Sequence, residues 1–142
     1  MSKLFYYYGS MASAKSLRLL STAYNFEEKN VQIMVLKPSL DTRDGEGVIK
    51  SRAGLERKCI MVDHDVNLYK VVKAYKNVLA SQLETLKWVI IDECQFLTET
   101  QIDQLSDVVD FLDVNVMCYG LRTDFKSRLF PSTKRLFELA DD

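Results

Sequence analysis

The chain has 142 residues, 47% of them hydrophobic and 27% charged, the make-up of a single compact domain with a core of its own. Nineteen basic and twenty acidic side chains nearly cancel, which excludes a broad positive field for a nucleic-acid backbone and leaves phosphate to be gripped locally. No apolar run approaches the ~20 residues that cross a bilayer, and the start MSKLFYYYGS lacks a signal peptide's apolar stretch and cleavage site, so a cytoplasmic protein without membrane contact is expected.

Strand-length apolar runs alternate with longer segments of helical period, which predicts an α/β fold with a mostly parallel sheet flanked by helices. The first strand is expected at 4–8, where Tyr6, Tyr7 and Tyr8 read as packing residues. Directly after it stand Gly9, Ser10, Met11, Ala12, Ser13, Ala14, Lys15 and Ser16, followed by an amphipathic helix expected at 15–26. This is a P-loop pattern, in which backbone N–H groups at a helix N-terminus face a phosphate, a lysine adds charge and a hydroxyl meets Mg²⁺. Ala14 replaces the second glycine of that pattern, the smallest side chain that could crowd the phosphate. The other reading is an ordinary glycine turn beside a solvated Lys15.

A second strand is expected at 32–36. The stretch 41–57, with three glycines and eight charged residues, reads as a long loop or a loosely held hairpin. A strand at 58–62 follows, and then His64, the only histidine, in a polar run that reads as surface. A helix is expected at 67–80, and at 88–92 an apolar strand ending in Asp92 and Glu93. Acids at the carboxyl end of a strand in an open α/β sheet point toward the ligand crevice. Asp92 would hold Mg²⁺ with Ser16, leaving Glu93 to accept or orient the proton of an attacking hydroxyl; alternatively the two acids cap the next turn. A helix at 99–111 opens with Thr98 and Gln101, a capping box, and a strand at 114–119 and a helix at 132–140 complete the chain. Cys59, Cys94 and Cys118 have no zinc or disulfide spacing and read as reduced, buried thiols.

The stretches YYYGSMASAKS, VLKPSLDTRDGEGVIKSRAG, VIIDECQFL and VMCYGLRTDFKSRLF, in that order, resemble the cellular-type thymidine kinases along the whole chain. The resemblance implies transfer of the γ-phosphoryl group of ATP, with Mg²⁺, to the 5′-hydroxyl of thymidine. Glu93 matches the family's catalytic base. Residues 9–16, Asp92, Glu93 and Gln95 match the ATP site, with Ser16 and Asp92 at magnesium. Asp41 and Arg43 match polar residues near the phosphates. Met11, Leu121, Phe125 and Phe130 match the walls around the nucleoside; the alternative for Phe125 and Phe130 is that they simply anchor a loop onto the core. The family implies a homo-oligomer, commonly a tetramer. It also implies a zinc-binding segment and a lasso loop beyond the last helix; their residues are not in this sequence, so zinc is not expected and triphosphate is expected to bind better than thymidine. A nucleotide-binding remnant or regulatory P-loop module is the alternative to an active kinase, and a mechanical or regulatory P-loop ATPase a third.

Overall fold

A computed structural model describes residues 2–9, 12–39, 47–51, 54–121 and 131–141. Its centre is a five-stranded sheet whose neighbouring strands all run parallel, in the order β1 (Leu4–Gly9), β7 (Asn115–Leu121), β6 (Leu86–Ile91), β2 (Gln32–Pro38), β5 (Ile60–Val62). Helices α1 (Ala12–Glu28), α2 (Leu68–Ser81), α3 (Glu99–Leu112) and α4 (Pro131–Leu139) connect and cover it. None of the described helices is long and apolar enough to cross a membrane.

Alternation along the strands sends side chains to two cores. Met34 and Leu36 of β2 join Val89 and Ile91 of β6 and Val116 and Cys118 of β7 under Val72, Ile102, Leu105 and Leu136 of the later helices. Ile33 and Val35 point the other way, with Ile90, Met117 and Tyr119, against Leu19, Leu20 and Ala23 of α1. Strands covered on both faces are apolar throughout, which is why their periodicity reads so clearly.

The expected elements are present with shifted ends. α1 begins at Ala12 rather than Lys15, since Ala12 and Ala14 favour helix. α4 begins at Pro131, whose fixed φ suits the first helical turn. β6 stops at Ile91, one residue before the first acid, although the Asp92 N–H still donates to the Leu36 carbonyl at 2.9 Å.

The expected strand at 58–62 is two strands. Glu56–Lys58 forms β4, antiparallel to β3 (Val48–Lys50), and only Ile60–Val62 enters the main sheet. Between them the Cys59 N–H donates to the Gly47 carbonyl at 2.9 Å, pulling the chain from one sheet to the other. The hairpin alternative for 41–57 therefore holds for β3 and β4, while residues 40–46 and 52–53 lie outside the described residues. Ile49 is fully buried against α1, the Tyr24 hydroxyl donates to the Glu56 carbonyl, and Arg57 Nε meets Glu27 Oε1 at 2.9 Å, so the hairpin rests on α1.

Thr98 and Gln101 form the expected capping box: the Gln101 N–H donates to Thr98 Oγ1 at 3.0 Å and the Thr98 N–H to Gln101 Oε1 at 3.1 Å. Gln101 Nε2 also donates to the carbonyls of Asp63 at 2.9 Å and Val66 at 3.0 Å, tying α3 to the segment before α2. Thr98→Ala should therefore cost about 1 kcal/mol. Gln101→Ala should cost about 2 kcal/mol, because two further carbonyls lose their partner. Urea unfolding midpoints will show that order; equal losses would mean that the two additional bonds contribute nothing.

Candidate functional site

β1 and β6 are not neighbours in the sheet, since β7 lies between them. At ~4.8 Å per strand, their carboxyl ends are about 10 Å apart. A lysine side chain early in the helix after β1 can cross that gap to the acids after β6. Lys15 does so: its Nζ donates to Asp92 Oδ1 and, at 2.9 Å, to Glu93 Oε1.

All the members of this cluster are buried. Lys15 is 7% exposed, Asp92 and Glu93 1% each, Gln95 3% and Ser16 8%. Burial alone would lower the Lys15 pKa, but the charges of Asp92 and Glu93 and their hydrogen bonds outweigh it and hold the ammonium above the ordinary lysine value of 10.5. A raised pKa means that this contribution to stability is complete below the unfolded-state value and is lost only as pH rises through the higher folded value. The Lys15 ammonium is therefore charged throughout the neutral range.

The turn after β6 sets the two acids apart. Glu93 has φ 52° and ψ 43°, a left-handed conformation uncommon for a residue with a side chain, and it precedes a short 3₁₀ turn at Cys94–Phe96. The Glu93 N–H donates to Asp92 Oδ1 at 2.9 Å, and Gln95 Nε2 donates to Glu93 Oε2. Both carboxylate oxygens of Glu93 thus have donors. Asp92 Oδ2 is buried with no hydrogen-bond partner among the described residues.

That orphaned oxygen is the test of a magnesium site. An anionic oxygen is costly to bury unpaired, and the Ser16 hydroxyl, another hard donor, is buried next in sequence to the Lys15 that bonds Asp92. Among the described residues no group of three or more His, Cys, Asp or Glu could hold a metal alone. Mg²⁺ needs no such group, because it keeps waters and takes phosphate oxygens alongside one or two protein oxygens. The donor set fits Mg²⁺ bound together with a triphosphate.

Other sequence-marked residues are placed unevenly. Gly9 ends β1, and Ala12, Ser13 and Ala14 form the start of α1, so the helix N-terminus lies inside the P-loop pattern. Ser10, Met11, Asp41, Arg43, Phe125 and Phe130 fall outside the described residues, and of Leu121 only its place at the end of β7 is described. Cys94 and Cys118 are fully buried, and burial followed by their mutual hydrogen bond pushes the Cys94 thiol well up, so it packs as an inert hydrophobe; Cys59 is only half-buried. His64 is exposed, as expected. Tyr6 is buried and Tyr7 stacks on Tyr119 at 5.2 Å beneath the Arg18 guanidinium, while Tyr8 is half exposed with its ring 5.3 Å from that of Tyr6.

A sequence profile describing thymidine kinases matches residues 2–142. The chain belongs to the thymidine kinase family. It is 43% identical to a thymidine kinase of Mannheimia succiniciproducens over 99% of its length and 70% of the relative's. It is 41% identical to one of Rhodopirellula baltica, of which it covers 64%, and 39% identical to one of Streptococcus pyogenes, of which it covers 71%, again over 99% of this chain in each case. The chain thus spans about two thirds of the length of these thymidine kinases.

One residue of this thymidine kinase site escaped the sequence reading. A Cβ on Gly120, near the end of β7, would lie 2.6 Å from Cys94 Sγ, 2.7 Å from Gln95 Oε1 and 3.3 Å from the Cys94 backbone nitrogen. The missing side chain lets the turn carrying Gln95 settle on the strand between β1 and β6. The only signal in the sequence was a glycine interrupting a bulky apolar strand. Gly120→Ala should lower stability by about 1–3 kcal/mol through overpacking. Adding Cys94→Ala, which removes the nearest clash, should restore part of the loss. Thermal melts of the single and double variants check this; a strictly additive double variant would mean that the strain lies elsewhere.

Proposed function

We propose that the chain carries the catalytic core for ATP-dependent phosphorylation of thymidine at its 5′-hydroxyl. The observation that carries the reading is the Lys15 ammonium bridging Asp92 and Glu93 at the carboxyl edge of the sheet, with one oxygen of Asp92 left for a cation. The relatives' activity, named in common as thymidine kinase, supports thymidine as the acceptor.

Each residue has a separable task. The first turn of α1 supplies backbone N–H groups to the phosphates, and Lys15 supplies a mobile positive charge. Ser16 and Asp92 would hold Mg²⁺, which neutralises charge on the phosphate oxygens when bound. When the Lys15 ammonium turns toward the phosphates, Glu93 Oε1 loses its cation and becomes the more basic oxygen, while Gln95 keeps Oε2 in place. Glu93 then takes the proton of the 5′-hydroxyl. The nucleoside oxygen forms its bond to the γ-phosphorus, the bond from that phosphorus to the bridging oxygen breaks, and ADP leaves with thymidine monophosphate as the other product. Met11, Leu121, Phe125 and Phe130 complete the proposal as apolar walls for the thymine and sugar.

Two variants separate binding from chemistry. Lys15→Ala should lose Mg·ATP binding in calorimetry. Glu93→Gln should keep that binding while kcat for thymidine falls by about 100-fold or more. Wild-type turnover in Glu93→Gln would move the base elsewhere, and unchanged triphosphate affinity in Lys15→Ala would remove the P-loop assignment.

A further inference from the structure

Lys15, Ser16 and Asp92, the groups assigned above to triphosphate and magnesium, are all buried, and the Lys15 ammonium is bonded to Asp92 and Glu93. A triphosphate cannot meet them as they stand, so part of the fold beside them has to give way. The part that adjoins Lys15 and Ser16 in the chain is the first turn of α1.

That turn starts earlier than a P-loop pattern requires. A helix beginning at Lys15 would put this residue at the helix mouth, but α1 begins at Ala12. At ~1.5 Å of rise per residue, Lys15 is recessed about 4.5 Å behind the first helical residue. In a helix that starts at Ala12, the N–H groups of Ser16, Leu17 and Arg18 go to the carbonyls of Ala12, Ser13 and Ala14. The N–H groups of a P-loop instead converge on phosphate from an open loop, and glycine at the sixth position of the pattern favours that loop. Here alanine holds the sixth position as Ala14 and the fourth as Ala12. Alanine is the best helix former and glycine one of the worst, so each alanine biases the turn toward helix by about threefold to fivefold over glycine.

We infer that the first turn of α1 is a switch that closes the triphosphate site from within. With residues 12–14 helical and Lys15 folded onto the acids the site is closed, and Mg·ATP binds the form in which this turn has unwound and Lys15 has left Glu93. The observed affinity is the affinity of the open form multiplied by its population, so Ala12 and Ala14 weaken binding by favouring the helix. The ligand rests on the kinase reading; the opening of the turn does not.

The test uses Ala12→Gly and Ala14→Gly as separate variants. Both loosen the turn, but only Ala14→Gly also removes a methyl group from the position where the pattern brings phosphate close. The Mg·ATP dissociation constant measured by calorimetry should fall about threefold to fivefold in each, and Ala12→Gly is the deciding variant. Unchanged or weaker affinity in Ala12→Gly would overturn the switch, and a gain confined to Ala14→Gly would assign the effect to crowding of the phosphate. Without ligand, amide hydrogen exchange at Ser16, Leu17 and Arg18 should run faster than at residues 20–23 and quicken further in both variants, with β6 and β7 unchanged. Exchange at those three amides as slow as in the middle of α1, and unmoved by either substitution, would show a turn that does not open and would also overturn the switch. A wild-type chain that binds no Mg·ATP would sink the triphosphate reading, and the exchange measurement would still decide whether the turn opens.

Discussion

An ammonium and two carboxylates, nearly sealed from water, must be paired with one another or the fold could not hold them. Each ion taken out of water costs several kcal/mol after relaxation, and the mutual attraction of Lys15, Asp92 and Glu93 offsets that cost only at hydrogen-bonding distance. The three come from opposite sides of β7, so the geometry of the sheet has to be right before the cluster can form. The cluster is a poor source of net stability and a strong constraint on arrangement. One ammonium faces two acids there, an excess that suits the divalent cation and triphosphate proposed for the site.

The rest of the architecture meets that constraint. A parallel sheet brings every carboxyl end to one edge, so β1 delivers α1 and Lys15 to the place where β6 delivers the acids. β7 must separate them without intruding, and Gly120 removes the one side chain that would meet Cys94 and Gln95. On the far side of β6, the Leu36 carbonyl of β2 accepts the Asp92 N–H, and β2 buries Lys37 at the same level. The later helices pack one face of the sheet and α1 with the β3–β4 hairpin packs the other, which leaves the carboxyl edge to the polar cluster.

Much of this was legible in the chain itself because buried parallel strands and amphipathic helices impose periods on sequence. LFYYY, WVIID and VNVMCY are apolar because both of their faces are covered, and Thr98 with Gln101 marks a helix start through a local hydrogen-bond exchange. The acids of the site could be found because a strand end fixes where they point. The division of 58–62 between two sheets could not, since the cause is one backbone hydrogen bond from Cys59 to Gly47 and backbone bonds leave no trace in side-chain pattern. Gly120 was hidden for a related reason. A glycine takes its meaning from what lies opposite it in space, and Cys94 lies 26 positions from Gly120.

The left-handed turn at Glu93 explains how adjacent acids come to do different work. In a continuing strand, Asp92 and Glu93 would project to opposite faces of the sheet, and a single lysine could not reach both. With φ at 52°, the chain reverses at Glu93 and brings both carboxylates to the same ammonium. Holding a non-glycine residue there costs about 1–3 kcal/mol. The surrounding bonds oppose that cost: the Glu93 N–H to Asp92, the Phe96 N–H to the Glu93 carbonyl at 3.1 Å, and Gln95 to the Glu93 side chain. Glycine would adopt the turn without strain but would leave Lys15 short of an acid and the proposed transfer without its base. The strain is tolerated because the residue that makes the turn also carries the carboxylate. Asp92 stays anchored to β2 through its backbone with one oxygen unclaimed among the described residues, while Glu93 swings out of the strand direction with its two oxygens held by Lys15 and Gln95. One backbone angle thus gives two neighbouring acids the different surroundings that the proposed roles of metal ligand and base require.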